Sequence, residues 1–400
     1  MHIGFYCMSL SGTGGVRVTI DLCNALIESG YKVSLIVNDV HKVHFSLPDK
    51  LNIYKISPHS IEPIVLSNQD KNDEGGRHSA KSAKKCLPEW FVNLVVSAKY
   101  HLFRRQLRKN RQYLIKQLNT LNFDRIVSTN IYNKLEYTEL FANICPTLIH
   151  VHNDLYDVCS RSNFNYVGNV SDFYNKFRLI FISQDQKQRA ISAYSIGDES
   201  AVIYNPIDFD RLVNDSLVSV KNDANNYLIC VGSLTDRKRI NLVIEALAKA
   251  KTSYNLVILG EGPKSQSLKD LVSKLGLNDR VKFLGFIKNP YPYILDSKGL
   301  ILASSYEGLP TVLIESLVLK TPVIAVDCPT GPREILQIFN LDYLVKNLSD
   351  TQIVIDLSSR IEMLERTKEH EFENVEIFSK NRNLNAFIEQ LKLDDIKLDE

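Results

Sequence analysis

The sequence predicts an α/β protein with two doubly wound, mainly parallel-stranded domains, and two stretches of the chain carry this prediction. Near the start, an apolar run at Ile3–Met8 is followed by a Gly/Ser loop, a segment of helical spacing at Val16–Glu28 and another apolar run at Tyr31–Val37. That order is typical of a βαβ unit, which implies a parallel sheet. The same alternation begins again at Tyr227–Val231 and continues to Val323–Val326.

The second half of the chain predicts a complete set of alternating elements. They are strand Tyr227–Val231, helix Asn241–Ala250, strand Leu256–Leu259, a turn at Gly260–Pro263, a helix through Leu275, and strands at Val281–Phe283, Gly299–Ala303 and Val323–Val326. Strands at Leu179–Ser183 and Ala201–Tyr204 precede the polar stretch Asn214–Asn226. We therefore assign residues 1–205 to an N-terminal domain and 206–379 to a C-terminal domain, with a helix over about 380–400 that could pack back on the first.

Composition places the chain among globular proteins. Its 400 residues are 44% hydrophobic and 24% charged, which suits a soluble chain long enough for two domains. A net charge of +2 is too balanced for a nucleic-acid binder. Seven scattered cysteines indicate reduced core thiols rather than disulfides. We expect a cytoplasmic protein, because the sequence shows neither a basic leader nor an apolar run that could span a bilayer.

Glu307 and Glu315, eight positions apart, are the most informative residues. Gly308 permits a tight turn, and Pro310 suits the first turn of a helix that would carry Thr311 and Glu315 on one face. The other positions of this helix are almost all apolar, so a carboxylate there needs hydrogen-bond donors. Helix starts also attract phosphate. Together these features indicate a bound nucleotide with sugar hydroxyls.

Further short motifs occur in order along the chain: Gly14-Gly15, His152, Asn205-Pro206-Ile207-Asp208, Gly232-Ser233 ahead of Lys238, Gly260-Glu261-Gly262-Pro263, Phe283-Leu284-Gly285-Phe286, and the glutamate pair. The ordered set resembles the retaining glycosyltransferases of the GT-B architecture, family four (glycosyl transferases group 1). The resemblance extends from Met1 to about Leu336 and is weakest over 51–143. It implies two Rossmann-like domains across a central cleft, the first binding an acceptor and the second a nucleotide sugar.

The resemblance implies roles for the charged residues. Glu315 would accept hydrogen bonds from the ribose hydroxyls, and Glu307 would lie near the donor sugar. Lys238 would neutralise the diphosphate, where leaving-group charge develops. The family usually has an arginine where this chain has Ser233, so either Arg237 or Arg239 would have to supply the second positive charge.

The resemblance also implies contacts made mainly by the backbone. The expected substrate-binding residues are Gly14, Gly15, Gly232, Ser233, Arg237, Gly262, Phe286, Gly308, Leu309, Pro310 and Thr311. In the N-terminal domain, His152 would contact the donor sugar or support the reacting centre. His150 is the alternative, since it lies two positions earlier on an apparent strand, but His152-Asn153 matches the family register.

No cofactor or metal is expected. Asp208-Phe209-Asp210 has the D-x-D form of metal-dependent transferases, but it follows Asn205-Pro206 in a linker and is better interpreted as a turn and helix cap. The family is generally metal-independent. No nucleophile is evident, and the family's same-face reaction and a double displacement both remain open.

The sequence thus predicts an enzyme that moves a hexose or N-acetylhexosamine from a nucleotide diphosphate sugar, most simply a UDP-sugar, to a glycan or lipid-linked acceptor. Cys328–Ile335 resembles members that build bacterial surface polysaccharides such as lipopolysaccharide. Two alternatives remain: a nucleotide-sugar epimerase of the same fold, and a non-catalytic binding partner, which the missing arginine at Ser233 would favour.

Residues 81–116 interleave basic and apolar side chains: Lys81, Lys84, Lys85, Lys99, Arg104, Arg105, Arg108, Lys109, Arg111 and Lys116 alternate with apolar positions such as Leu102, Phe103 and Leu107. Such a segment can bind an anionic membrane surface. A solvated helix face packed on the first domain is the alternative. Because surface-glycan acceptors are membrane-anchored, we favour peripheral contact with the inner face of the plasma membrane.

Overall fold

The structure is a computed structural model that describes residues 1–10, 14–40, 46–65, 89–129, 134–161, 169–197, 199–219, 226–339, 341–364 and 375–393. Side chains are described for the same residues except 89–94 and 161. The beginning of the predicted basic segment, 81–88, and the end of the predicted C-terminal helix, 394–400, lie outside the described residues.

In the described residues, the first sheet has the strands β1 (His2–Ser9), β2 (Lys32–Asp39), β3 (Asn52–Ile56), β4 (Ile61–Ile64), β5 (Arg125–Ser128), β6 (Thr147–Val151), β7 (Arg178–Phe181) and β8 (Ala201–Val202). Their order is β4-β3-β2-β1-β5-β6-β7-β8. Strands β3 and β4 pair antiparallel, whereas β2–β3, β1–β2, β1–β5, β5–β6 and β7–β8 pair parallel. Phe5 of β1 aligns with Leu35 of β2 and Val127 of β5, so the predicted parallel βαβ start is confirmed.

The helices that accompany these strands are α1 (Gly14–Glu28), α2 (Glu89–Asn119), α3 (Glu136–Phe141), α4 (Leu155–Arg161), α5 (Val170–Tyr174) and α6 (Gln184–Tyr194). Helix α1 begins two residues before the predicted start. Its buried residues Val18, Leu22 and Leu26 repeat every four positions, the spacing of one helix face. The helix ends before Gly30, whose φ of +87° is the left-handed conformation in which helices commonly stop.

The second sheet contains β9 (Tyr227–Val231), β10 (Asn255–Leu259), β11 (Val281–Gly285), β12 (Gly299–Leu302), β13 (Val323–Val326) and β14 (Leu344–Val345). The order is β11-β10-β9-β12-β13-β14, and all these neighbours pair parallel. The helices in this part of the chain are α7 (Phe209–Ser216), α8 (Ile240–Lys249), α9 (Ser265–Lys274), α10 (Tyr291–Leu295), α11 (Thr311–Val318), α12 (Pro332–Ile338), α13 (Asp350–Leu364) and α14 (Lys380–Lys392).

Both faces of the second sheet are covered by helices. Leu228 and Cys230 of β9 pack in one apolar cluster that includes residues of α8 and α13. The alternate residues Tyr227 and Ile229 pack in a second cluster with residues of α10 and α11. Successive side chains of a strand point to opposite faces, so these two clusters lie on opposite sides of one sheet. The predicted doubly wound architecture is confirmed.

Residue contacts divide the described chain into two compact units. The first contains Met1–His150 and Lys176–Arg178, and the second contains Val151–Asn175 and Leu179–Leu393. The predicted boundary at 205/206 follows sheet membership instead, since β8 is the last strand of the first sheet. Helix α14 belongs to the second unit. The domain limits, and the packing of the C-terminal helix on the first domain, stay predictions.

None of the helices in the described part of the chain combines the length and the apolar composition needed to cross a membrane.

Candidate active site

The candidate site lies in the second unit, on the segment that joins β12 to α11. Glu307 is buried, with 6% of its surface exposed. Its Oε1 accepts a hydrogen bond from Nζ of Lys238 at 2.6 Å, and its Oε2 accepts one from Nη1 of Arg237 at 2.7 Å. Both cations lie on a 3₁₀ turn that follows β9. Because β9 and β12 are parallel neighbours, the segments after them leave the sheet side by side.

The two cations determine the charge state of Glu307. Burial by itself raises the pKa of this carboxyl, but the charges of Lys238 and Arg237 outweigh it and lower the pKa below its usual 4.5. Glu307 is therefore ionised at neutral pH. The group carries one negative and two positive charges, so it has an excess cation with which to attract an anionic ligand.

The guanidinium of Arg239 binds backbone carbonyls rather than Glu307. Its Nε donates to the carbonyl oxygen of Ala303 at 2.7 Å, and its Nη2 donates to that of Ser304 at 3.0 Å. These bonds tie the turn after β9 to the segment after β12. Of the two arginines that the sequence left as alternatives, Arg237 lies at Glu307, and Arg239 is held by backbone carbonyls.

The predicted glycines around this turn permit close backbone approach. A Cβ on Gly262 would lie 2.3 Å from the carbonyl oxygen of Leu234, closer than any side chain allows. Gly232 faces the stem of Lys238, where a Cβ would be 3.1 Å from Cε. Ser233, which directly follows Gly232 and was also predicted to bind substrate, is exposed. Gly262 therefore serves a packing requirement here, whatever ligand it contacts.

The turn at Gly308 meets the loop after β6. A Cβ on Gly308 would lie 2.2 Å from the carbonyl oxygen of His152 and 2.8 Å from the side-chain amide of Gln186. The hydroxyl of Thr330 donates to the carbonyl oxygen of Glu307, which fixes the other side of the turn. His152, Glu307 and Lys238, all predicted catalytic residues, thus belong to one connected region of the second unit.

His152 is 8% exposed, and burial lowers its pKa to about 4, so the imidazole is neutral at neutral pH. The amide of Gln186, oriented to satisfy both neighbours, donates to the carbonyl oxygen of Val151 and accepts the N–H of Asp154, each at 3.3 Å. Asp154 in turn accepts from Nε of Arg189 at 2.9 Å. The loop that carries His152 is therefore held from both ends by α6.

Helix α11 has the environment that the sequence predicts. Glu315 is 7% exposed, so it is not an ordinary exposed helix acid. Pro310 is the N-cap residue, and the helix begins one residue later, at Thr311. Leu309 is buried, whereas Thr311 is partly exposed.

The remaining predicted residues are spread over both units. Gly14 and Gly15 form the first turn of α1 in the first unit, and Gly14 is exposed. The alternative histidine, His150, is a buried residue of β6, also in the first unit. Phe286 follows β11 in the second unit and is 42% exposed.

Three polar residues with contacts in this region were not assigned from the sequence: Thr330, Gln186 and Glu334. Glu334 accepts the N–H groups of Gln184 and Asp185 and the hydroxyl of Tyr204. Thr330 and Glu334 lie in the Cys328–Ile335 stretch that the sequence singled out. Their partners are distant in sequence, so no spacing signal indicates them.

Within the described part of the chain, His, Cys, Asp and Glu side chains do not gather in a group of three suited to a metal ion. Asp208 caps α7 by accepting the N–H of Arg211 at 3.0 Å, and it also accepts from Nζ of Lys380 at 3.1 Å. The D-x-D sequence here is thus a helix cap, as predicted.

Comparison with known proteins identifies the family. Residues 214–373 match the family described as Glycosyl transferases group 1. The chain is 29% identical, over 83% of its length and 82% of the relative's, to an N-acetylgalactosamine-N,N'-diacetylbacillosaminyl-diphospho-undecaprenol 4-alpha-N-acetylgalactosaminyltransferase of Campylobacter jejuni. It is 28% identical, over 39% of its length and 44% of the relative's, to the lipopolysaccharide 1,6-galactosyltransferase of Escherichia coli.

Solved structures agree on the fold. The chain superposes on Anabaena HepE, solved in complex with UDP and glucose, with a TM-score of 0.62, 16% identity and coverage of 98% and 99% of the two chains. It superposes on the lipopolysaccharide outer core galactosyltransferase WaaB, in its apo form, with a TM-score of 0.60, 17% identity and coverage of 97% and 98%.

Residues 214–373 therefore form a domain of the glycosyl transferases group 1 family, and the chain has the GT-B fold. It is a glycosyltransferase, which confirms the predicted family and enzyme class and sets aside both the epimerase and the non-catalytic alternative.

Proposed function

We propose that this enzyme transfers a hexose or N-acetylhexosamine from a UDP-sugar, with retention of anomeric configuration, to a glycan or lipid-linked acceptor of a bacterial surface polysaccharide. The observation that carries the donor half is the pairing of Glu307 with Lys238 and Arg237. Two cations that already neutralise one buried carboxylate form a preorganised site for a second anion, and a diphosphate has the charge to occupy it.

Each residue then has a role in the donor complex. Lys238 and Arg237 bind the diphosphate and stabilise the charge that develops on it as the sugar departs. Glu315 accepts hydrogen bonds from the ribose hydroxyls, and Glu307 orients the two cations and lies near the sugar. His152 is neutral, so it can accept a hydrogen bond from a sugar hydroxyl or donate one without adding charge.

The transfer step needs no protein nucleophile. The bond between the anomeric carbon and the diphosphate oxygen breaks, and its electron pair leaves on the diphosphate. The acceptor oxygen bonds to the same face of that carbon, and its proton passes to the departing oxygen. The protein contributes position and charge stabilisation, and we propose that transfer requires no metal ion.

The names of two relatives support a glycan or lipid-linked acceptor. The Campylobacter relative is named for a diphospho-undecaprenol acceptor, and the Escherichia relative for lipopolysaccharide. We propose that the first unit binds the acceptor and that α2 contacts an anionic membrane on its cytoplasmic side. The exposed side chains of α2 fit that contact: Lys99, Arg105, Arg108, Lys109, Arg111 and Lys116 are basic, and Val96, Leu102 and Tyr113 are apolar or aromatic.

The test is a screen of nucleotide sugars by thermal stabilisation, followed by mass analysis of products with lipid-linked acceptors in EDTA-containing buffer. We expect one UDP-sugar to stabilise the protein and to give a product heavier by one sugar, with the donor's anomeric configuration. Glu315→Ala should weaken UDP binding at least tenfold, because the ribose loses its acceptor, whereas Glu376→Ala, an exposed acid in the same unit, should not. An inverted product, or UDP affinity unchanged by Glu315→Ala, would contradict the proposal.

A further inference from the structure

Glu334, in the first turn of α12, is buried and accepts three hydrogen bonds from residues far away in sequence. Oε1 accepts the N–H of Gln184 at 2.9 Å and the hydroxyl of Tyr204 at 2.7 Å, and Oε2 accepts the N–H of Asp185 at 3.0 Å. Gln184 and Asp185 are the first two residues of α6. Their N–H groups have no partner within their own helix, and an anion there is favourable. A side chain of α12 thus caps α6.

The contact is reciprocal. Burial and the charge of Glu334 raise the pKa of Asp185, and the nearby backbone N–H of Gly331, the residue immediately before α12, partly offsets them. Gly331 has a φ of +89°, and a Cβ there would lie 2.6 Å from Cδ of Pro310. The start of α6 therefore lies against Glu334 of α12, and the start of α12 lies against Asp185 of α6. Where this junction touches the turn before α11, at Gly331, there is space only for a glycine.

Helix α6 connects this junction to His152. Gln186 lies one residue beyond Asp185, and its amide bridges Val151 and Asp154 on either side of the His152 loop. That loop in turn contacts Gly308, next to Glu307. A rotation or shift of α6 would therefore move His152 relative to the Glu307 turn.

We propose that Glu334 is a positioning residue for the transfer reaction: it fixes the start of α6 and, through Gln186, holds the His152 loop against the Glu307–Gly308 turn. Glu334 contacts no reacting atom. The proposal rests on the proposed function for its kinetic consequence, but its structural consequence, the placement of His152, is measurable without substrate.

The first test is Glu334→Gln, which keeps the side-chain shape but places an NH₂ group against one backbone N–H. We expect kcat to fall roughly ten- to hundredfold while the KM for the donor changes less than about threefold. In the ligand-free variant, NMR titration should show the pKa of His152 rising from its depressed value toward 6.5, because a loosened loop admits water. Tyr204→Phe, which keeps both helix caps, is the matched control and should leave the His152 pKa unchanged.

Gln184→Pro is a second, gentler variant. Proline is tolerated at the first helical position, so it removes one N–H donor to Glu334 without breaking α6. It should change kcat and the His152 pKa in the same directions by smaller amounts. An unchanged His152 pKa in either variant would overturn the proposal, whereas the absence of any transfer by the wild-type enzyme would overturn only the proposed function.

Discussion

Gly308 lies so close to the backbone of His152 that a Cβ added at Gly308 would be 2.2 Å from the carbonyl oxygen of the histidine. The turn that joins Glu307 to helix α11 can therefore pack against the His152 loop only because residue 308 is a glycine. The positions of the His152 loop and the Gly308 turn depend on this contact, although the two residues are far apart in sequence.

Gly308→Ala should displace the turn. We expect a loss of about 1–3 kcal/mol in the free energy of unfolding, since backbone rather than a flexible side chain must move. Transfer activity should fall by more than tenfold, because Glu307 and His152 would both shift. Denaturant unfolding and initial rates measure the two effects. Gly197→Ala is the control: among the residues that the structure describes, its Cβ would meet only Asn175, at 3.9 Å, so stability and rate should stay near wild type.

The ion pair of Lys238 and Glu307 should couple strongly. Lys238→Met leaves a buried carboxylate with one remaining cation, and we expect a loss of about 2–4 kcal/mol in the free energy of unfolding. The double variant Lys238→Met, Glu307→Gln should be more stable than the sum of the single changes predicts, by at least about 1 kcal/mol.

An exposed pair provides the comparison for that cycle. Lys264 and Asp236 lie 2.7 Å apart with side chains 43% and 85% exposed, so Lys264→Met and Asp236→Asn should couple by less than about 0.5 kcal/mol. If the changes in the free energy of unfolding for Lys238→Met and Glu307→Gln are additive in the double variant, the predicted coupling between Lys238 and Glu307 is wrong.

The buried side chains of His152 and Asp154 should make the free energy of unfolding depend on pH in opposite directions. Burial lowers the folded-state pKa of His152 from its ordinary 6.5 to about 4, so the unfolded state binds more protons in this interval and stability is lost as pH falls from 6.5 to 4. Burial raises the pKa of Asp154 from 3.8 to about 6, so there the folded state holds the proton and stability is lost as pH rises through that interval.

Differences between variants isolate these contributions. From pH 7 to pH 4, the stability of wild type relative to His152→Gln should fall by up to about 3 kcal/mol. Relative to Asp154→Asn it should rise over the same range. Denaturant titrations at a series of pH values measure both differences, and parallel curves for wild type and His152→Gln would refute the burial of a neutral imidazole.

Helix α2 should bind anionic membranes through its exposed arginines and lysines. Replacing Arg105, Arg108, Lys109 and Arg111 by glutamine should release the protein from vesicles that contain phosphatidylglycerol, since each basic residue near such a surface contributes about 1 kcal/mol. Arg104 is left intact because its Nε lies 3.0 Å from Glu136 on α3 and ties the two helices together. Vesicle sedimentation measures binding.

The control for the membrane experiment removes the same charge elsewhere. Lys249, Lys251, Lys274 and Lys298 are exposed in the second unit, and their replacement by glutamine should leave sedimentation unchanged. Equal release by both sets would mean that net charge, rather than α2, governs attraction to the membrane.

Much of the fold follows from local pattern. The alternation of apolar strands and helices predicts both sheets, because a parallel strand buried on two faces is apolar throughout and its crossover helix has one apolar face. The burial of Glu315 is predicted for the same reason: its neighbours on α11 are apolar, so the helix must be enclosed.

The choice between Arg237 and Arg239 shows where local pattern stops. Both flank Lys238 in the chain, and no spacing rule distinguishes them. The left-handed backbone of Arg239, with a φ of +44°, directs its guanidinium to carbonyls after β12, whereas Arg237 reaches Glu307. Gln186 and Thr330 went unassigned for a similar reason, since their partners are loops from other parts of the chain.

The sequence by itself determined the two doubly wound sheets and indicated the family, because these depend on hydrophobic periodicity and on motifs read within a few residues. From the same motifs it predicted that two glutamates, a lysine and a histidine form the site. Only the tertiary structure decided which cations meet Glu307 and which acid caps α6. Glu334 lies 150 residues from Gln184, and a hydrogen bond over that separation exists only after the sheet and its helices have packed.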